Sequence, residues 1–136
     1  MSTAKLVRVR DVMRTEFDII DGMETVAEAL QKMEHYSNKA LIINKRHEHD
    51  EYGIVMLSDI AKKVLAQDKA ADRVNVYEIM SKPVVTVDAD MDIRYCARLF
   101  DQFGLSRAPV MENHRIVGIV SYTGMVLSML SDSQND

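Results

Sequence analysis

The apolar residues of this chain fall into one sequence of patterns that occurs twice. Val26, Ala29, Leu30 and Met33 recur at helical spacing and predict an amphipathic helix. Thr25 and Glu28 supply a capping box at its start. Ile93, Cys96, Ala97 and Phe100 repeat the same face further on. An extended stretch precedes each helix, Phe17–Ile20 in one case and Val84–Val87 in the other. A short apolar strand follows each, Ala40–Ile43 and Ala108–Met111, then a polar turn and a second strand, Gly53-Ile54-Val55 and Gly118-Ile119-Val120. Each succession closes with a helical pattern, Asp59–Ala66 and Gly124–Leu130.

The duplication holds in register. Asp11-Val12-Met13 recurs as Glu78-Ile79-Met80, 67 residues later, and Gly53 recurs as Gly118, 65 residues later. The longer first turn, Asn44 to Tyr52, accounts for most of the changed offset. The pattern therefore predicts an α/β (α+β) fold of two β-α-β-β-α repeats, residues 1–66 and 76–130. A polar linker over 67–75 carries Asp68, Lys69, Asp72 and Arg73, and 131–136 reads as a disordered, solvated tail. A repeat of this size is marginal alone, so the two are expected to pack sheet against sheet with quasi-twofold symmetry.

Composition narrows the function. With 136 residues, 47% hydrophobic and 28% charged, the chain reads as an ordinary globular protein that needs no staples. A net charge of −4 argues against a nucleic-acid partner, which needs a basic face. Met1 to Arg10 lacks the apolar core of a secretory signal, and no apolar run is long enough to span a membrane. Cys96 is the single cysteine, so no intrachain disulfide can form; this fits a reducing compartment and a cytoplasmic protein. Its spacing with Ile93 and Phe100 marks it as a small core residue rather than a nucleophile.

His47-Glu48-His49-Asp50-Glu51 is the sharpest metal-like cluster, but adjacent ligands in a polar turn rarely converge, so a solvated loop and no metal are expected. His35 and His114 have no evident partner in the sequence, and Asp11 and Glu78 receive no site role. No phosphate loop, nucleophile motif or catalytic carboxylate pair is present, which points away from an enzyme. Met33 and Met56 read as core. The last helical pattern, with Met125, Val126, Leu127, Met129 and Leu130, is apolar nearly all round and needs a further surface to cover it.

The ordered elements Val-Met, extended segment, Thr-Val-x-Glu-Ala helix, apolar strand and Gly-Ile-Val followed by an acid resemble the CBS domain. The likeness runs from about Val9 to Leu130 and occurs twice. It implies a non-catalytic regulatory pair, a Bateman module, with two clefts between the repeats. Members of the family bind AMP, ADP or ATP, and in some cases S-adenosylmethionine or dinucleotides. They often dimerise and regulate partner proteins. For this chain the resemblance implies an adenine nucleotide as regulatory ligand, no other cofactor, an unidentified regulated protein, and a homodimer through helices that include Gly124–Leu130.

The resemblance also assigns residues. The family's ribose motif places a hydroxyl and an Asp after the Gly-led strand, because a carboxylate accepts hydrogen bonds from both ribose hydroxyls. Here the first copy keeps Asp59 after Ser58 but has Met56 at the hydroxyl position. The second keeps Ser121, followed by Thr123, but has Gly124 at the acid position. By the family's pattern the Asp59 cleft would hold adenine against Ser81, Lys82, Pro83, Val84 and Val85, with Arg107 beside Ala108 for phosphate. A weaker cleft would use Ser121, Thr123, the segment Thr15-Glu16-Phe17-Asp18-Ile19, and Lys39 as the counterpart of Arg107. Ser58-Asp59 and Ser121 to Thr123 also suit ordinary helix caps. Two alternatives stay open: a ligand-free assembly module, or a sensor of another adenosyl compound such as S-adenosylmethionine or NAD, which the apolar Met56 would suit.

Overall fold

The computed structural model describes residues 6–134, and the side chains of residues 6–130. In chain order its elements are α1 (Val9–Val12), β1 (Ile19–Ile20), α2 (Val26–Lys32), β2 (Ala40–Ile43), β3 (Gly53–Met56), α3 (Leu57–Ile60), β4 (Val87–Asp88), α4 (Ile93–Phe103), β5 (Arg107–Glu112), β6 (Arg115–Ser121) and α5 (Tyr122–Gln134). The α3 helix widens into a π-type segment over Ala61–Leu65. Short 3-10 turns occupy Tyr36–Asn38, Ala71–Arg73 and Val76–Glu78. This is a mixed α/β fold with two three-stranded sheets.

The strands that the sequence predicts at Phe17–Ile20 and Val84–Val87 shrink to two paired residues each. The helix α5 continues to Gln134, into the stretch that the sequence pattern marks as a frayed tail. Asn135 and Asp136 lie outside the described residues, as do residues 1–5 of the N-terminal stretch.

The chain divides into two compact units whose limits differ from those of the repeats. One spans Glu16–Val84; the other joins residues 6–15 to 85–134.

In the Glu16–Val84 unit the sheet order is β1-β2-β3. The β1 strand runs parallel to β2 through Ile19 and Ile42, and β2 pairs antiparallel with β3 from Ala40 opposite Met56 to Ile43 opposite Gly53. Val26, Ala29 and Met33 pack on Leu41, Ile43, Val55 and Val64. Leu30, expected on the same helix face, is instead exposed, because the seven-residue helix turns only one narrow stripe inward. The end of the linker and the start of the second repeat are part of this core. Val74 and Val76 are buried in it, the Val26 N–H donates to the Val74 carbonyl at 2.8 Å, and the Val76 N–H donates to the Glu24 carbonyl at 2.8 Å.

In the other unit the order is β4-β5-β6, again parallel then antiparallel. Phe100, fully buried, meets the Tyr122 ring edge-on at 5.2 Å between centroids, and burial of a side chain that size contributes about 2–3 kcal/mol. Cys96 is buried beside it, as its spacing predicts, and burial pushes its thiol up to about 11. Val9, from the N-terminal segment, is fully buried in the same core. Its N–H donates to the Met91 carbonyl at 2.8 Å, and that of Arg10 to the Ala89 carbonyl at 2.9 Å.

Each unit thus completes its fold with the opening segment of the other repeat. Asp11 and Glu78, given no part by the sequence, start these segments: the Asp11 carboxylate accepts the Arg8 N–H at 2.9 Å, and that of Glu78 accepts the Asn75 N–H at 2.7 Å.

Candidate functional site

In each unit the Gly-led strand meets the segment that follows a Val/Ile-Met pair. In the Glu16–Val84 unit, Ile54 and Ser81 exchange backbone hydrogen bonds in both directions, at 3.0 and 2.9 Å. Gly53 permits this approach. A Cβ there would lie 2.9 Å from the Met80 sulfur and 3.2 Å from the Ser81 carbonyl oxygen. The other unit repeats the arrangement, with Arg14 and Ile119 exchanging hydrogen bonds of 2.9 Å each. Gly118 faces Met13 there, and an added Cβ would lie 2.7 Å from both the Met13 sulfur and the Arg14 carbonyl oxygen. The duplicated methionines and glycines are two sides of one contact.

Asp59 stands at the third position of α3, not at its cap. Met56, in extended conformation, is the N-cap, and Ser58 is an exposed residue of the first turn. The Asp59 Oδ2 accepts the Met56 N–H at 2.9 Å. An ionised carboxylate offers about four acceptor positions, so this bond leaves capacity for a diol. Met56, expected in the core, is half-buried. At the start of α5 the roles reverse: the Ser121 hydroxyl oxygen accepts the Gly124 N–H at 3.2 Å. Gly124 itself lies under the N-terminal segment, where a Cβ would come within 3.1 Å of the Val12 carbonyl oxygen.

Met56, Ser58, Asp59, Ser81, Lys82, Pro83 and Val84 fall in one unit, while Val85, Arg107 and Ala108 fall in the other. Of the second set, Thr15, Ser121 and Thr123 share a unit, and Glu16, Phe17 and Lys39 belong to the Glu16–Val84 unit. The Lys82–Pro83 peptide bond is cis. The Lys82 ammonium is paired with Asp50 at 2.8 Å, and the Val84 N–H donates to the Tyr52 carbonyl at 2.9 Å. The Asp50 carboxyl is held well below the usual carboxylate range by the Lys82 ammonium and by the N–H groups of Arg46 and Glu51. In the other unit, burial lowers the Arg107 guanidinium from its ordinary value, and the charge of Arg14 adds to the shift.

Two expectations need correction. Arg107 pairs with Ser121 on β6, as Ala40 pairs with Met56 on β3. The Leu57 N–H donates to the Lys39 carbonyl at 3.0 Å, as the Tyr122 N–H donates to that of Ser106 at 3.1 Å. Lys39 is therefore the counterpart of Ser106, and Ala40 that of Arg107; a one-residue slip along a strand sends the side chain to the other face. Lys39 also adopts a left-handed conformation, φ 59°, which closes the turn before β2. The second correction concerns His35, which has a partner: its Nδ1 lies 3.7 Å from a Glu16 carboxylate oxygen. Asp18 beside them is buried and accepts the N–H groups of Glu34 at 2.9 Å and His35 at 3.0 Å, so its carboxylate braces the loop after α2.

Among the described residues no three His, Cys, Asp or Glu side chains converge as a metal site, and no helix is long and apolar enough to cross a membrane.

Two copies of a sheet-and-helix unit, each with a Gly-led strand clasped by a Met-containing segment, define a paired-repeat protein. The sequence profile of the CBS domain matches residues 9–66 and 76–130, and the chain belongs to the CBS-domain family. It is 36% identical over 119 residues to the protein MK0525 of Methanopyrus kandleri; the match covers 85% of this chain and 59% of that protein, so the chain spans well under the full length of this relative. Among solved structures it is similar to a hexameric CBS-CP12 protein from bloom-forming cyanobacteria, with TM-score 0.84 and 37% identity over 89% of this chain and 70% of the other. It is also similar to the CBS domain pair of protein MJ0100, whose structure holds 5′-methylthioadenosine and S-adenosyl-L-methionine; there the TM-score is 0.78 and the identity 25%, over 94% of this chain and 99% of the other.

Proposed function

We propose that this CBS pair is a non-catalytic regulatory module whose ligand is an adenosyl compound, an adenine nucleotide in the first instance, with Asp59 holding the ribose. The observation that carries this is the setting of Asp59. Its carboxylate is fixed by the Met56 N–H at the end of the same strand that pairs with Ser81, so a diol acceptor and the Ser81–Val84 part of the base-holding segment belong to one compact unit. The Ser81 and Val84 N–H groups are committed to Ile54 and Tyr52 and Pro83 has none, so this segment would meet an adenine edge through the Lys82 backbone and its carbonyl oxygens; the similarity to a CBS pair bound to two adenosyl compounds supports that ligand class. Binding then regulates a partner by its differential affinity for two states of the module.

The test is a thermal-shift screen of AMP, ADP, ATP, NAD and S-adenosylmethionine against wild type and Asp59→Ala. A ligand at 100 times its dissociation constant stabilises by about 2.7 kcal/mol, and that shift is expected to vanish in the variant. No shift with any adenosyl compound would sink the proposal.

A second reading, assembly through α5, is favoured by one observation. Val126, Leu127, Met129 and Leu130 are all more than half exposed, whereas Met125 turns into the core. A homodimer through this helix is compatible with ligand binding. It becomes the whole function if the screen is negative and the protein sediments as a dimer.

A further inference from the structure

The β2–β3 turn is the largest difference between the repeats. It runs from Asn44 to Tyr52, whereas Asn113 and His114 suffice between β5 and β6. The long turn is fastened to the base-holding segment at two points, Asp50 to Lys82 at 2.8 Å and the Tyr52 carbonyl to the Val84 N–H at 2.9 Å. It is also braced from within. The Arg46 N–H donates to the Asp50 carboxylate at 2.8 Å, and the Lys45 ammonium sits 5.0 Å from the centre of the Tyr52 ring. The Asp50 and Lys82 side chains are only 14% and 24% exposed, so the pair is better shielded than an ordinary surface ion pair. At the repeat offset of 67 residues, Lys82 corresponds to Thr15. Lys82, from the second repeat, and the loop that neutralises it, from the first, therefore occur together in one compact unit, and both are missing from the other.

We propose that Asp50 is a positioning residue for ligand specificity: by holding the Lys82 ammonium, it keeps the base-holding segment from offering a free cation to phosphate. The inference rests on the adenosyl-binding proposal and deepens it. With Lys82 neutralised and the carboxylate of Asp59 in the same unit, this side of the site favours adenosyl ligands with little or no phosphate over polyphosphates. A polyphosphate must either displace Asp50 from Lys82 or draw its cations from elsewhere. An uncharged or sulfonium-bearing ligand meets no such competition.

The experiment is calorimetric titration of adenosine and ATP, at fixed ionic strength, into wild type, Asp50→Asn, Asp50→Glu, Lys82→Met and the Asp50→Asn/Lys82→Met double variant, each checked by its melting curve. Asp50→Asn is expected to raise the ATP-over-adenosine affinity ratio about fivefold, the upper range for a partly exposed ion pair. Asp50→Glu, which keeps the carboxylate, is expected to keep the wild-type ratio. The rise is expected to disappear when Lys82 is also replaced. An unchanged ratio in Asp50→Asn, or the same rise without Lys82, overturns the proposal. If neither adenosine nor ATP binds any variant, the adenosyl reading fails, and tripolyphosphate then decides the role of Asp50. Binding gained in Asp50→Asn and lost in the double variant supports it, whereas no gain refutes it.

Discussion

The two helix starts, Met56 to Asp59 and Ser121 to Gly124, are built from opposite halves of one device. A full capping box pairs a hydroxyl at the cap with an acid three residues on, each bonding the other's N–H. The first repeat retains the acid, which bonds the Met56 N–H; the second retains the hydroxyl, which bonds the Gly124 N–H. One reciprocal bond suffices to start either helix, so the fold tolerates the loss of either half. The proposed ribose contact does not, because a lone hydroxyl offers far less to a diol than a carboxylate. The N-terminal segment contributes to the asymmetry, since the Val12 carbonyl crowds the Cβ that any acid at position 124 would need.

The largest effects are expected where the two clasps differ. Gly118→Ala puts a Cβ 2.7 Å from the Arg14 carbonyl oxygen, which accepts the Ile119 N–H while the Arg14 N–H donates back to the Ile119 carbonyl. It is expected to cost about 3 kcal/mol in urea unfolding. Gly53→Ala meets the Met80 sulfur first, at 2.9 Å, the mobile end of a flexible side chain. It is expected to cost about 1 kcal/mol. Equal costs would mean that the two clasps are equally yielding, and would break the comparison.

At the helix starts, Ser121→Ala removes the hydroxyl that accepts the Gly124 N–H and is expected to cost about 1 kcal/mol. Asp59→Ala removes a single bond to the Met56 N–H and is expected to cost about the same. Ligand response separates them: Ser121→Ala keeps the thermal shift of an adenosyl ligand, and Asp59→Ala loses it. Loss of the shift in both would place the ligand on α5 as well.

The duplication, the strand order within each repeat and most core positions were legible because periodicity and residue identity carry them. Val26, Cys96 and Phe100 lie where their spacing puts them. What was not legible is how each unit borrows its first segment. Asp11-Val12-Met13 and Glu78-Ile79-Met80 look the same whichever sheet they join, and only long-range pairing decides that. The Lys39 misassignment has a similar origin. Matching Ala40 to Ala108 by identity slips the strand by one residue, whereas the antiparallel register counted back from Gly53 and Gly118 would have corrected it. Nor could the Asp50–Lys82 pair be foreseen from a loop that reads as solvated.

The smallest expected effect, and the finest comparison, concerns the starts of α2 and α4. Glu28 is held below its ordinary value chiefly by the Thr25 N–H and then by the Thr25 hydroxyl, a neutral backbone-led arrangement. Asp92 is held below its ordinary value chiefly by the Arg94 guanidinium and then by the Arg94 N–H. In both cases the unfolded chain binds the proton more readily than the folded one. The stabilisation is therefore fully present above the unfolded values, about 4.3 for Glu and 3.9 for Asp, and is lost as pH falls through the lower folded values. Denaturation midpoints measured from pH 6 down to pH 2 are expected to drop less steeply in Glu28→Gln and in Asp92→Asn than in wild type. Salt distinguishes the two. At about 1 M the screening length shrinks to roughly 3 Å, so the ion-pair part of the Asp92 contribution weakens while the backbone-held Glu28 contribution persists. Equal salt sensitivity in the two variants would show that Lys32, the one cation acting on Glu28, matters more than the hydrogen bonds from Thr25.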